Sequence, residues 1–426
     1  MANKIEEISL ADIKGDNDTK SQPRIENVSY VASYNWIDKD TPTISVPGLP
    51  PKWQPSSKTK QLQPDSGTYI SDPNGARFPI HPTEPAVRAI LHENPTFDTT
   101  NVNIFACGNT LDSLLEFVQD SPRTFQLGVE RIGNTVFLIR EPPPETVNSI
   151  VSKYSYSRAF HDTYTKWEAE AKESVSHQRI VRYDFMGLKL VVRHACDGYL
   201  PNKVPKEREL PPRKRRADEM SKDDAEVVEE ESVQFTVSCA NVVDENIKKE
   251  DEGPASTTAL PQNATLTLTE SGRNIPQAAI FDIRTRSTKF LKQKDRVAAM
   301  DQFYARLWPT QIPNLIFACH WKGEFKMRDI RVIDVANHLK EWEGKNAEVL
   351  TKFGVVLRKL VAMTKEEGKE RFKVRRVDAG VLEILSVDEH SARALSEEMK
   401  ARWESLNKAE TAKEEYSNKK VKMEDA

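Results

Sequence analysis

Ala279-Ile280-Phe281-Asp282-Ile283-Arg284-Thr285-Arg286 reads as a β-strand in which an apolar run gives way to charge at Asp282. Side chains alternate along a strand, so Asp282 and Arg284 point to the same side, one pleat apart. A second run, Arg193-His194-Ala195-Cys196-Asp197-Gly198, closes another strand-like segment with an acid. An acid ending one apolar strand and an acid-x-cation pair inside the next supply two hard carboxylate oxygens, the donors that Mg²⁺ or Mn²⁺ prefers. The cation can position a water and offset phosphate charge. The expectation is one site built from Asp197, Asp282 and Arg284.

Outward from these strands, the pattern predicts a single mixed α/β (α+β) domain interrupted once. Residues 1–80 are polar and Pro-rich around Trp36 and Trp53, and predict an extended arm that clasps the core. Residues 81–200 form the first part of the core. Thr83 before Pro85 starts a helix, and Leu111, Leu114, Leu115 and Val118 stripe a second. Phe160–Glu173 predicts a third. Arg179–Phe185 and Leu188–Arg193, hinged at Gly187, form the hairpin that delivers Asp197. Residues 201–274 carry Arg213-Lys214-Arg215-Arg216, then acidic and Ser/Thr-rich stretches, and read as a disordered charged insert. Residues 275–390 resume the core, with a long helix over 336–363, and 391–426 form a charged helix and tail.

Composition narrows the function classes. Of 426 residues, 30% are charged, 38% are hydrophobic and 25 are Pro, so a sizeable share cannot be packed core. The net charge of −3 is segregated along the chain and excludes neither nucleic acid nor protein as partner. Cys107, Cys196, Cys239 and Cys319 show no CxxC pair and no zinc spacing, which predicts reduced thiols. No apolar run approaches the ~18 residues of a membrane span, and the start of the chain has no apolar signal core. The expectation is a soluble intracellular protein.

Several short marks carry a resemblance to a fungal family of uncertain function that is often labelled geranylgeranyl diphosphate synthase. They are Ser33-Tyr34-Asn35-Trp36, Val46-Pro47-Gly48, Ser176-His177-Gln178-Arg179, Asp197-Gly198-Tyr199-Leu200, Phe281-Asp282 with Thr285-Arg286-Ser287, and Leu307-Trp308 with Gln311-Ile312-Pro313-Asn314. Prenyl transfer needs an all-helical fold and paired DDxxD motifs. The nearest match, Asp223-Asp224, lies in the charged insert and has Val at the closing position. More distantly, the 275–330 block resembles the eukaryotic 5′-end decapping nucleases of the PD-(D/E)XK kind. That family places an acid-x-Lys-Thr strand before a helix, then Trp-x-x-Gln, then an apolar strand and a Gly turn. Trp308, Gln311, His320 and Gly323 stand in that order here.

The resemblance implies a Mg²⁺ or Mn²⁺ held by Asp197, Asp282 and the Ile283 carbonyl, with Arg284 and Gln311 completing a catalytic set that acts on RNA 5′ ends. Two departures bear on turnover. Ala195 stands where those nucleases carry Glu, and Arg284 stands where they carry Lys. A guanidinium is bulkier than an ammonium and fixed in a planar fork. The combined expectation is a nuclease-like protein that binds nucleic acid, RNA above all, or a protein partner, with little or no hydrolysis. The alternative is an active metal-dependent RNA 5′-end nuclease.

Other residues admit two readings. Gln311 orients phosphate or water, or bonds to backbone. His177 and His194 form an acid–base pair, or are structural. Glu168 or Glu173 supplies an upstream carboxylate. Cys196 has no base specified beside it, which argues against a nucleophile. The Arg213–Arg216 run reads as a nuclear import signal or a solvated charge run, and favours a nuclear over a cytoplasmic location.

Overall fold

The computed structural model describes residues 3–13, 22–70, 72–141, 147–151, 155–205, 265–292, 296–378, 380–388 and 391–406. Two large sheets organise them. The 11-stranded sheet runs in the order Lys4–Ser9, Val381–Leu385, Arg371–Arg376, Phe125–Ile132, Thr135–Arg140, Ile104–Cys107, Leu188–Ala195, Ser174–Phe185, Ile25–Ile37, Thr43–Val46, Thr267–Glu270. It is mixed because Ile104–Cys107 lies parallel to both of its neighbours. The 7-stranded sheet runs Thr165–Lys166, Lys52–Trp53, Gly198–Tyr199, Ile280–Ser287, Asn314–Trp321, Glu324–Asp334, Lys60–Gln61. The helices Gly108–Val118, Arg296–Leu307 and Ala347–Met363 contribute to the main core. There Leu111, Leu115, Trp308, Phe353 and Leu357 pack with Phe185 and Leu190 from the hairpin. The mixed α+β architecture is that expected, and its large sheets are not the all-helical fold that prenyl transfer needs.

Local chemistry places the two strands of interest. Ser174–Phe185 and Leu188–Ala195 pair antiparallel about Met186-Gly187, whose φ values of 49° and 80° are those of a primed two-residue turn. Met186 takes the left-handed backbone with its side chain buried, its sulfur packed where a Cβ on Gly354 would stand. At the far end of this hairpin the chain crosses into the second sheet at Gly198. A Cβ there would lie 2.5 Å from both the Phe281 ring and the Pro51 carbonyl oxygen, so only glycine allows the crossing. Asp197 is therefore delivered beside Asp282, across the Gly198↔Phe281 register.

The structure departs from the sequence expectation in several elements. The first 80 residues are not an arm. Ile25–Ile37 is an interior strand of the large sheet, paired with Ser174–Phe185 on one side and Thr43–Val46 on the other. Trp36 is fully buried. The second part of the core also begins before residue 275, since Thr267–Glu270 pairs parallel with Thr43–Val46. The helix placed over Phe160–Glu173 is Ser157–Tyr164, and the chain continues as the strand Thr165–Lys166. The 336–363 helix is two, Ala336–Lys345 and Ala347–Met363, separated at Asn346. The run Arg213–Arg216 and most of the charged insert lie outside the described residues.

Candidate functional site

Asp197 and Asp282 meet at one backbone N–H. The Ile283 N–H donates to Asp197 Oδ2 at 2.7 Å and to Asp282 Oδ1 at 3.0 Å. Arg284 closes the cluster from the same strand face. Its Nη2 lies 2.7 Å from Asp282 Oδ2, and its Nη1 donates to the Ile283 carbonyl at 3.3 Å. The three residues read from the sequence thus converge, and Arg284 binds two of the groups expected to hold a metal.

Electrostatics divides the two acids. Burial pushes Asp282 well above the usual carboxylate range, with the nearby Asp197 adding to the effect and Arg284 opposing it. Burial acts the same way on Asp197, but its hydrogen bond with Asp282 and the charges of His161 and Arg284 hold it below that range. The two acids are thus driven apart, Asp282 toward its protonated form and Asp197 toward its charged one. Arg284 is raised in turn, first by Asp282, against burial. His161 sits over the cluster with Nε2 3.0 Å from the Asp197 carbonyl oxygen and Nδ1 3.2 Å from Asp162. Burial opposes its charge, but the bond to Asp162 and the field of Asp197 raise its pKa.

Two cavities open on either side of this centre. One, of about 400 Å³, is lined by Asp72, Cys107, Asp112, Arg123, Arg140, Arg193, His194 and Arg306 together with Asp197, Asp282 and Arg284. The other, of about 810 Å³, is lined by Arg77, Arg158, His161, Trp167, His177 and Cys196, and shares Ala195, Asp197 and Arg284 with the first. A cleft therefore runs through Arg284. In the first cavity Arg140 pairs with Asp72 at 3.2 Å, and Arg123 and Arg306 approach Asp112 at 3.7 and 3.9 Å. Arg193 is buried, bonds to Gln178 Oε1 at 3.3 Å, and makes no ion pair among the described residues. Burial works against its charge, while Tyr34, Cys107 and Asp72 sustain it.

The remaining candidates fall elsewhere. Gln311 is not at the centre: it adopts φ 52° at a turn, and its side-chain amide donates to the Trp308 carbonyl at 2.6 Å. Glu168 is committed to Arg273 and the Tyr199 hydroxyl, and Glu173 is exposed on a turn, so neither supplies an upstream acid. His177 and His194 give their Nδ1–H to Asn35 Oδ1 at 2.7 Å and to the Ala195 carbonyl at 3.0 Å. Their Nε2 atoms face no partner among the described residues. Burial lowers His194 to about 4 and His177 well below its usual value, so both are neutral acceptors rather than an acid–base pair. Burial pushes Cys196 up to about 12, which leaves no thiolate. Asp112, Arg193 and His161 were not singled out in the sequence. Asp112 had one signal, an acid set between the leucines of an apolar helical stripe.

The residues present do not fit a divalent cation. Both Asp197 and Asp282 accept from the Ile283 N–H, Arg284 is paired with Asp282, and the Ile283 carbonyl also receives Arg284. Among the described residues no group of three or more His, Cys, Asp or Glu is arranged to hold a metal. No helix among them is long and apolar enough to cross a membrane.

Solved structures share the fold. Schizosaccharomyces pombe Rai1 in complex with 3′-FADP aligns at TM-score 0.53 and 10% identity, covering 91% of this chain and 100% of that one. Candida albicans Rai1 in complex with pU5-Mn²⁺ aligns at 0.53 and 10%, covering 95% and 100%. Kluyveromyces lactis Dxo1 in complex with manganese aligns at 0.51 and 10%, covering 92% and 99%. The likeness is one of fold, and it is the fold that the nuclease resemblance implied. No curated protein matches the chain. Residues 15–393 match a domain of unknown function (DUF8563), and the chain belongs to that family.

Proposed function

We propose that this protein binds RNA in the cleft centred on Arg284, with little or no hydrolysis. One observation carries the reading: the Arg284 guanidinium lies on Asp282 and the Ile283 carbonyl, where a nuclease of this fold would place its cation. A guanidinium binds phosphate oxygens in pairs and keeps its proton at any relevant pH. Arg193, buried with no ion pair among the described residues, adds a second anchor for anionic oxygens, and the neutral Nε2 of His194 can accept a hydrogen bond from a hydroxyl beside it. Neither arginine activates water, and an error of ~1 Å in the attacking atom costs on the order of 100-fold in rate. Support from outside the chain is the shared fold with Rai1 crystallised with pU5 and Mn²⁺.

The test is anisotropy of a labelled 5′-phosphorylated oligouridylate, read against salt, beside a cleavage assay in Mg²⁺ or Mn²⁺. Binding that weakens with salt, falls in Arg284→Ala and yields no product supports the reading. Robust cleavage abolished by Asp282→Ala rejects it and favours an active nuclease. We place the protein in the nucleus on the sequence of Arg213–Arg216 alone. Replacing those residues with Ala should move a tagged protein to the cytoplasm with its thermal transition unchanged, and an unaltered nuclear location rejects the placement.

A further inference from the structure

The outer end of the cleft gathers like charges on one exposed surface. Lys52 and Lys166 occupy directly opposed positions on the antiparallel strands Lys52–Trp53 and Thr165–Lys166. Such neighbours stand about 4.5–5.5 Å apart at Cβ, and like charges there are destabilising. Both lysines are exposed, as is Lys172 one turn further on, and none of the three forms an ion pair among the described residues. Glu168 lines the same surface and feels the charge of Lys52, but its carboxylate is bound to Arg273 and the Tyr199 hydroxyl. These lysines line a cavity of about 800 Å³ with Gln54 and Trp167.

Trp167 is half-buried, packed on the main core, and also lines the cavity that reaches Asp197 and Arg284. Its indole therefore stands between the catalytic-type centre and the lysine surface and borders both spaces. A rigid indole flanked by unpaired ammonium groups matches one chemistry, an unpaired base with phosphates on either side. A duplex offers no free base face, and an acidic peptide has no use for the indole plane.

We infer that single-stranded RNA leaves the cleft across Trp167, one base stacked on the indole and the adjoining phosphates against Lys52, Lys166 and Lys172. The inference rests on the RNA-binding reading of the cleft. The like-charged Lys52–Lys166 pair is then relieved when the strand is bound, which gives the destabilising juxtaposition a use.

The experiment compares a ten-residue oligouridylate with 5′-phosphorylated diuridylate on the full chain, using wild type, Trp167→Ala, Trp167→Phe and the double variant Lys52→Ala/Lys166→Ala. Trp167→Ala should weaken the ten-mer by roughly 5- to 150-fold, the span of one base–aromatic stack, and weaken the dinucleotide far less. Trp167→Phe should recover most of the loss. The double lysine variant, at exposed positions, should lower the slope of log K against log salt by about 1.4 for a single strand. That arm decides the matter if Trp167→Ala fails to fold. Wild-type binding of the ten-mer that survives every substitution overturns the platform and leaves the cleft reading standing. Failure of wild type to bind either oligonucleotide removes the cleft reading itself. Equal sensitivity of a ten-base-pair duplex to Trp167→Ala would overturn the single-strand assignment.

Discussion

At the inner end of the cleft Arg284 is bound to Asp282 at 2.7 Å, whereas at the outer end Lys52 faces Lys166 across two strands and neither forms an ion pair among the described residues. Both ends are basic, yet the inner cation belongs to the fold and the outer ones do not. A partly buried charge that has lost its partner is costly, so the inner cluster should report on stability. Exposed like charges cost a little when present, so the outer pair should report on ligand.

The largest effect expected is that of Arg284→Ala. It strips the cation from Asp282 beside Asp197, and removal of one member of a buried pair costs about 3–5 kcal/mol. Because the Arg284 side chain retains 30% exposure, about 2–3 kcal/mol is expected here. Urea unfolding checks it, as a lowered midpoint with unchanged slope. A shift below 0.5 kcal/mol would mean that the cluster does not hold the strand ends together.

The comparison sharpens if the inner cation can be exchanged for a metal. Ala195→Glu with Arg284→Lys adds a carboxylate and withdraws the guanidinium fork. The double variant should gain Mn²⁺-dependent stability, up to about 2.7 kcal/mol at a hundredfold excess over Kd, read as a raised thermal midpoint where wild type shows none. Equal Mn²⁺ response in both proteins would show that Arg284 does not stand in the cation's place.

How far this was legible in sequence differs between the regions for a physical reason. Asp282-Ile283-Arg284 and the hairpin ending at Asp197 could be read because local alternation states which side chains share a face. The strand Ile25–Ile37 could not, because its inward positions include polar residues. Ser33 and Asn35 are buried, and their bonds run to distant groups: the Ser33 N–H to Glu93, the Asn35 amide to Leu49 and Ser174. A buried polar strand looks like a surface one until its partners are known. Asn346 hid for the opposite reason. The apolar stripe continues across it, while its N–H bonds back to Trp342 and Glu343 and ends one helix as the next begins. Arg193 and Asp112 could not be assigned to the cleft because only the pairing of Arg193 with Cys107 brings that strand beside the Gly108–Val118 helix.

Asp112 gives the next prediction, a dependence on pH at the inner end. Burial, with Glu116 adding and Arg306, Arg123 and Arg284 opposing, raises it to about 6. A carboxyl whose folded pKa exceeds its unfolded value holds its proton in the fold across the interval between them. Stability therefore falls as pH rises from about 4 to about 6, and levels above. Asp112→Asn should remove this fall, on the order of 2 kcal/mol, which denaturation at pH 4.5 and pH 7 measures as a difference between variant and wild type. A parallel pH profile in the two proteins would contradict a raised Asp112.

The smallest effect, and the one that separates the two ends most cleanly, is Lys166→Glu. It turns a like-charged cross-strand pair into an opposite one, and such pairs differ by roughly 0.2–1 kcal/mol. The variant should be more stable than wild type by that amount, because both side chains are exposed and Lys166 forms no ion pair among the described residues. RNA affinity should move the other way, since one phosphate contact becomes a repulsion, and the loss should shrink as salt screens it. Stability and binding would then change with opposite sign at one residue. At Arg284, by contrast, both should fall together, because the same guanidinium closes the cluster and meets the ligand. If Lys166→Glu lowered stability and left affinity unchanged, the outer lysines would be ordinary surface charges.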